Sequence, residues 1–313
     1  MDKIPSHDDF IRSILSNKEL AKEYFKSYLP AFVSSRLDFS RLQQLPDTYL
    51  SDELRKSISD IVYSCKLKGR QGHIIISLLI EHKSYPDKNT PIQMGSYIFS
   101  AYQKQIRNKE SLRLVIPILL YHGKEKWRYQ TLSGLFSKIP KEWKVYLPNF
   151  EVVFNSLGEL TDDQIVALGN KFLAASFLAL KHGWEKAWLE ENAVRIFLHA
   201  SEGPEGERKA LIIYVGSRSN LKENILNSLP EPVKKDVMNT LDVFYEKGMK
   251  KGMEVGIVKG IEKGREEGRE EGRESIVKNL INSGQFTLSE IASFAGVPVS
   301  FVKKLQSAAK KKK

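Results

Sequence analysis

A chain of 313 residues with 41% hydrophobic content can bury a sizeable core, in about two domains. A single cysteine, Cys65, excludes an internal disulfide; no Cys/His cluster has zinc spacing, and no run of about 18 apolar residues is present to span a membrane. The net charge of +11 favours a polyanionic partner, although tail lysines such as Lys303, Lys304 and Lys310 supply part of it.

The opening stretch MDKIPSHDDF has no apolar signal core, so a cytoplasmic location is expected. Residues 7–29 read as one helix, with Phe10, Ile14, Leu20, Tyr24 and Phe25 at roughly helical spacing. Ser6 is a candidate cap, and Asp8 and Asp9 fall in the first turn, where the helix dipole favours acids. His7 is left open between a site contact and a capping role. Residues 31–50 read as a short strand and loops.

Two strand signals follow, SISDIVYSCKL at 57–67 and HIIISLLIEHKS at 73–84. The Gly-bearing loop KGRQG between them predicts a hairpin. Residues 90–107 predict a helix with Thr90 as N-cap, Pro91 at the first helical position, and Ile92, Tyr97, Ile98, Ala101 and Tyr102 on its apolar face. RLVIPILLYHG at 113–123 is a candidate central strand, but Pro117 argues for an edge or a bulge. NFEVVFNS at 149–156 predicts another strand; 163–200 and 208–246 read as helical, the latter broken at 229–232, with a loop at 201–207.

From Gly248 to Gly272 glycine recurs at every fourth position. On a helix this spacing forms a slowly drifting bare stripe that lets a second helix approach closely; a flexible charge-balanced linker is the other reading. The last stretch has two short helical patterns, with Thr287 and Glu290 spaced as a capping box and Gly296 as a break, which suggests a helix-turn-helix.

The chemistry concentrates where the apolar run at 74–80 ends in Glu81, His82 and Lys83. If the hairpin turns near Arg70, facing residues have numbers that sum to about 140 or 141, which sets Asp60 opposite Ile80 or Glu81. Strand alternation then puts Lys83 on the face of Glu81, while Ile80 and His82 point the other way. Two converging carboxylates repel unless a cation compensates. With a lysine beside them they suit metal-assisted phosphodiester hydrolysis. A solvated face with a surface ion pair is the other reading.

Asp60 followed by Glu81-His82-Lys83 resembles the PD-(D/E)XK nuclease signature. More narrowly, the chain resembles the Rpn (YhgA-like) family of recombination-promoting nucleases. The matching pieces are His7-Asp8, Leu29-Pro30, Ser59-Asp60, the run Ile80 to Ser84, a Tyr97-containing helix, and the run Pro117 to Gly123. The resemblance implies an α/β, restriction-endonuclease-like mixed sheet flanked by helices, and DNA cleavage dependent on Mg2+ (or Mn2+/Ca2+). It implies Asp60, Glu81 and the His82 backbone carbonyl as metal ligands and Lys83 as catalytic base or charge stabiliser. It also implies Asp8 as an additional acid and Gln93 as a supporting polar group. The chain departs from the pattern at Ser59, which replaces the proline of the signature name. The His82 side chain is read as a packing or hydrogen-bonding group and His122, at a strand end before Gly123, as structural.

The expected organisation is a nuclease domain with a helical extension over 1–246, a glycine-periodic helical segment over 247–274 that makes a homodimer, and a small helix-turn-helix-like unit over 275–313. DNA is the expected partner, with no membrane. The alternative is a catalytically silent DNA- or protein-binding regulator of related nucleases.

Overall fold

A computed structural model describes residues 5–46, 61–69 and 75–310; Asp60 and most of the hairpin loop lie outside them. Two compact units are present, one reaching Phe244 and a second from Tyr245 onward.

The first unit is built on a mixed sheet of order β1 (Leu37–Gln44), β2 (Ile61–Leu67), β3 (Ile75–Lys83), β4 (Leu114–Tyr121) and β5 (Val153–Ser156). β1, β2 and β3 pair antiparallel; β4 runs parallel to β3 and to β5. The expected hairpin is present, and its ladder pairs Ile61 with Ile80 and Val62 with Leu79, the 141 register. β3 is central and buried on both faces, as its near-continuous apolar run requires. Helices on both sides complete the α/β, restriction-endonuclease-like arrangement.

The two faces of β3 have different cores. Leu78 and Ile80 join Phe10, Ile14, Tyr24 and Phe25 from α1 (His7–Ser16) and α2 (Lys18–Tyr28), with Phe177 and Tyr214 from later helices. Leu79 instead joins Val62, Val115, and Met94, Tyr97, Ile98 and Ala101 of α4 (Thr90–Arg107). The helix α4 is the crossover of a parallel β3–α4–β4 unit.

Several expected elements divide. The helix over 7–29 is two helices, because Asn17 leaves the helical backbone and its side chain accepts from Glu19 N and Leu20 N, capping the second. Residues 31–34 form a short helix, α3 (Ala31–Ser34), before β1. In α4 the residue before the helix is Asn89, not Thr90, and Ile92 is 52% exposed; the buried face follows Met94, Tyr97, Ile98 and Ala101. Pro117 sits in an interior strand. β5 pairs only from Ile118 onward, so at Pro117 the strand has a neighbour on one side, β3.

After a four-residue helix α5 (Leu132–Leu135) and β5, the stretch over 163–200 resolves into α6 (Asp162–Val166), α7 (Lys171–Lys181) and α8 (Lys186–Ala200). α9 (Glu205–Gly216) begins inside the expected 201–207 loop, and α10 (Glu223–Asn227) follows.

A single helix, α11, runs from Glu231 to Ser283 and contains the whole glycine repeat. At each of the glycines from Gly248 to Gly272 an added Cβ would meet no atom within 4 Å. In the second unit, α12 (Leu288–Ala295) opens on the Thr287–Glu290 capping box and ends at Gly296, whose φ of 61° is left-handed. α13 (Val299–Lys310) follows, and Val277, Ile291, Ala292, Ala295 and Val302 form a small core. Among the described residues no helix is long and apolar enough to cross a membrane.

Candidate functional site

Glu81 and Lys83 lie at the end of β3 on the α4 side. The Glu81 carboxylate is nearly buried, and Gln93 Nε2 donates to its Oε1 at 3.0 Å. The same amide bonds the Tyr97 hydroxyl one helical turn on. Lys83 Nζ lies 3.5 Å from Glu81 Oε1 and 3.3 Å from Asp87 Oδ2. A buried carboxylate is tolerated only with such compensation, here one ammonium and one amide donor. Both described contacts fall on Oε1, which leaves Oε2 to take a cation. Asp87 also lines an open cleft with Tyr85, Lys88, Trp127 and Arg128.

The opposite face carries a second constellation. His82, next in the strand, points away from Glu81 toward the start of α1. Its Nδ1 lies 3.5 Å from Asp8 Oδ1, and His122 Nε2, just past β4, lies 3.7 Å from the same oxygen. One ligand atom from each of the three lies within 4.8 Å of the others. The side chains of His82 and His122 are 2% and 0% exposed, and Asp8 is half-exposed. These are ion-pair separations at or beyond the limit of a hydrogen bond, and none of the four ring nitrogens makes a well-formed one.

Local chemistry explains the placement. Asp9 is taken up by the capping box: its backbone N–H donates to Ser6 Oγ at 3.0 Å, and its carboxylate accepts from Ser6 N at 3.2 Å. Asp8 is thereby left to face the sheet. His122 is fixed by its N–H, which donates to Lys83 O at 3.0 Å and extends the β3–β4 ladder. The next residue must be glycine, since a Cβ at Gly123 would strike the Ser84 carbonyl oxygen and the Tyr121 ring. His7 neither caps α1 nor joins this group. Its Nδ1 meets the Tyr214 hydroxyl at 2.5 Å, and its ring stacks on Trp184 with centroids 4.0 Å apart.

Burial pushes His122 down to about 3 and His7 down to about 4, so both rings are neutral at ordinary pH. The adjacent His82 ring holds the Asp8 carboxyl below its usual range, against the opposing effect of burial.

The structure therefore brings Glu81, Lys83 and Gln93 together and sets Asp8 against His82 and His122 instead. Asp60 lies outside the described residues. Sequence reasoning missed the second group because its members come from a helix start and two strand ends, with no short spacing to mark them. The available signal was three polar residues, Asp8, His82 and His122, each at an element terminus beside an apolar run.

Residues 5–207 match the family described as "Putative transposase, YhgA-like". The chain is 31% identical over 120 residues to recombination-promoting nuclease RpnA of Escherichia coli K12, covering 38% of this chain and 40% of that protein. It is 28% identical over 164 residues to recombination-promoting nuclease RpnD of E. coli O157:H7, covering 51% and 62%. It is 27% identical over 118 residues to the inactive recombination-promoting nuclease-like protein RpnE of E. coli K12, covering 37% and 39%. These alignments span from about two fifths to three fifths of the relatives' own lengths. No solved structure matches.

Proposed function

This chain belongs to the YhgA-like transposase family, and on that footing we propose that it is a divalent-metal-dependent DNA endonuclease that hydrolyses phosphodiester bonds. The observation that carries the reading is the Glu81–Lys83–Gln93 group at the end of the central strand. The recombination-promoting nuclease names of its relatives support it.

In this reading Asp60, Glu81 and the His82 carbonyl hold a Mg2+ (or Mn2+/Ca2+) ion. The donor set fits, since Mg2+ takes one or two carboxylates and keeps several waters. When bound, the ion polarises the phosphate and makes water a better nucleophile. Gln93 holds the Glu81 carboxylate in one orientation. Lys83 steadies the attacking water or the charge that develops on the phosphate. The cationic and aromatic cleft of Tyr85, Lys88, Trp127 and Arg128 receives the nucleic acid backbone. Recombination or mobile-element biology is the proposed setting, in the cytoplasm. Over 247–274 the glycine stripe joins two copies, and the helix pair over 275–313 assists binding.

Purified protein should nick supercoiled plasmid with Mg2+ or Mn2+, and Glu81→Ala and Lys83→Ala should each lose that activity. Equal nicking by wild type and variants would remove the site assignment. A silent binding protein is the second reading, favoured by the likeness to a relative named inactive. Its signature is plasmid retention without metal-dependent nicking.

A further inference from the structure

We propose that Asp8, His82 and His122 form a second cation site, on the opposite face of the sheet from Glu81 and Lys83, that takes a borderline transition-metal ion of the Zn2+ or Co2+ kind. It goes beyond the nuclease reading and does not depend on it.

The buried rings are the first argument. Two imidazoles with almost no solvent exposure and no well-formed hydrogen bond are costly to bury, and an ion would engage the one lone pair that each neutral ring carries. Nearby packing does not engage it: His7, the closest polar ring, is already committed to Tyr214, and its centroid is 6.0 Å from that of His122.

Geometry is the second. Two ligands about 2.0–2.1 Å from one tetrahedral ion stand roughly 3.4 Å apart. Asp8 Oδ1 lies 3.5 Å and 3.7 Å from the two nitrogens, and the three ligand atoms lie within 4.8 Å of one another, so an ion is admitted once the two rings close on it. Asp8 Oδ1, the oxygen that faces both rings, is itself buried and without a hydrogen-bond partner, while the rest of that side chain is half-exposed.

Ligand chemistry is the third. Two nitrogens and one oxygen suit Zn2+, Co2+ or Fe2+, whereas Mg2+ prefers oxygen alone. The ion would tie the first turn of α1 to the ends of β3 and β4. The two sites thus select different metals from adjacent residues of one strand.

The test uses the full chain stripped with a chelator and then titrated with Co2+. With Co2+ wild type should develop a visible absorption band from nitrogen ligation that saturates at one equivalent, and Zn2+ should abolish the band and raise the Tm. Asp8→Asn and His122→Gln should each weaken binding at least tenfold and lose the band, while Glu81→Gln keeps both. If His122→Gln does not fold, Asp8→Asn at its half-exposed position decides alone. Absence of the band in wild type, unchanged binding by Asp8→Asn, or loss of the band in Glu81→Gln would each overturn the site. Plasmid nicking with Mg2+ reads Glu81 and Lys83, so failure of the nuclease reading is a separate result.

Discussion

Gln93 reaches from the first turns of α4 to the carboxylate of Glu81 at the end of β3, a 3.0 Å hydrogen bond between the crossover helix and the central strand. The amide also bonds Tyr97, so its rotamer is fixed from below. Removing a group that orients a metal ligand costs metal affinity or activity. Gln93→Ala should lower metal-dependent nicking by about 10- to 100-fold, while Gln93→Glu should also weaken activity by setting a second charge against Glu81. Initial nicking rates across a plasmid concentration series check this; an effect confined to KM would place Gln93 on the DNA instead.

Lys83 is nearly buried between Glu81 and Asp87. A cation so placed is a compact charge, which the planar fork of arginine does not reproduce. Lys83→Gln should cost about 100- to 1,000-fold in single-turnover nicking, by analogy with loss of one charge-stabilising donor, and Lys83→Arg should not restore it. Plasmid retention should change little, because Lys83 is one cation among many.

Gly183 sits where the end of α7 meets Tyr214 and His7. A Cβ there would strike the Tyr214 hydroxyl and come within 2.8 Å of His7 Cε1. Gly183→Ala should destabilise the first unit by about 1–3 kcal/mol through overpacking. Urea unfolding followed by circular dichroism measures it. A neutral result would mean that the Tyr214–His7 pair shifts freely.

The central strand and its charged end were legible because strand alternation is strict: once Ile80 is buried with the α1 core, Glu81 and Lys83 must face α4 and His82 must not. The loop alone narrowed the hairpin register to sums of 140 or 141, of which the ladder takes 141. The Asn17 break was not, since apolar spacing continues across it and only the side-chain cap marks the boundary. Ile92 shows the limit of helical periodicity at a helix start, where the first turn overhangs the core. Asp8, His82 and His122 meet only because the fold superimposes three termini, which no local pattern encodes. That the two rings are buried without a well-formed hydrogen bond is visible only in three dimensions.

Asp162 gives a pH dependence away from the sites. Burial alone would raise its carboxyl, but hydrogen bonds from Lys181 at 2.6 Å and His182 at 2.9 Å outweigh that and hold it below the usual value. The His182 ring also meets Glu185 at 3.2 Å. A carboxyl depressed in the folded state stabilises above its unfolded pKa, and that contribution is lost as pH falls through the folded value. Wild type should therefore lose Tm more steeply than Asp162→Asn below about pH 4, with the variant less stable at pH 7. Parallel melts from pH 7 to pH 2.5 read this, and parallel curves would show that the pair contributes nothing.

The glycine stripe on α11 makes two effects of one substitution oppose each other. Each glycine costs a lone helix about 1 kcal/mol relative to alanine, and here each added Cβ would point into open space. Alanine at Gly256, Gly260 and Gly264 should therefore raise the helical signal of the isolated chain. If a second copy packs against the stripe, the same three methyl groups would push the helices apart. Sedimentation should then show twice the 35.7 kDa chain mass for wild type and a monomer for the triple alanine variant and for a chain truncated before Lys247. A more helical variant that keeps the doubled mass would move the contact off the glycines. A wild-type monomer would leave the repeat with no partner helix and remove the dimer from the functional reading.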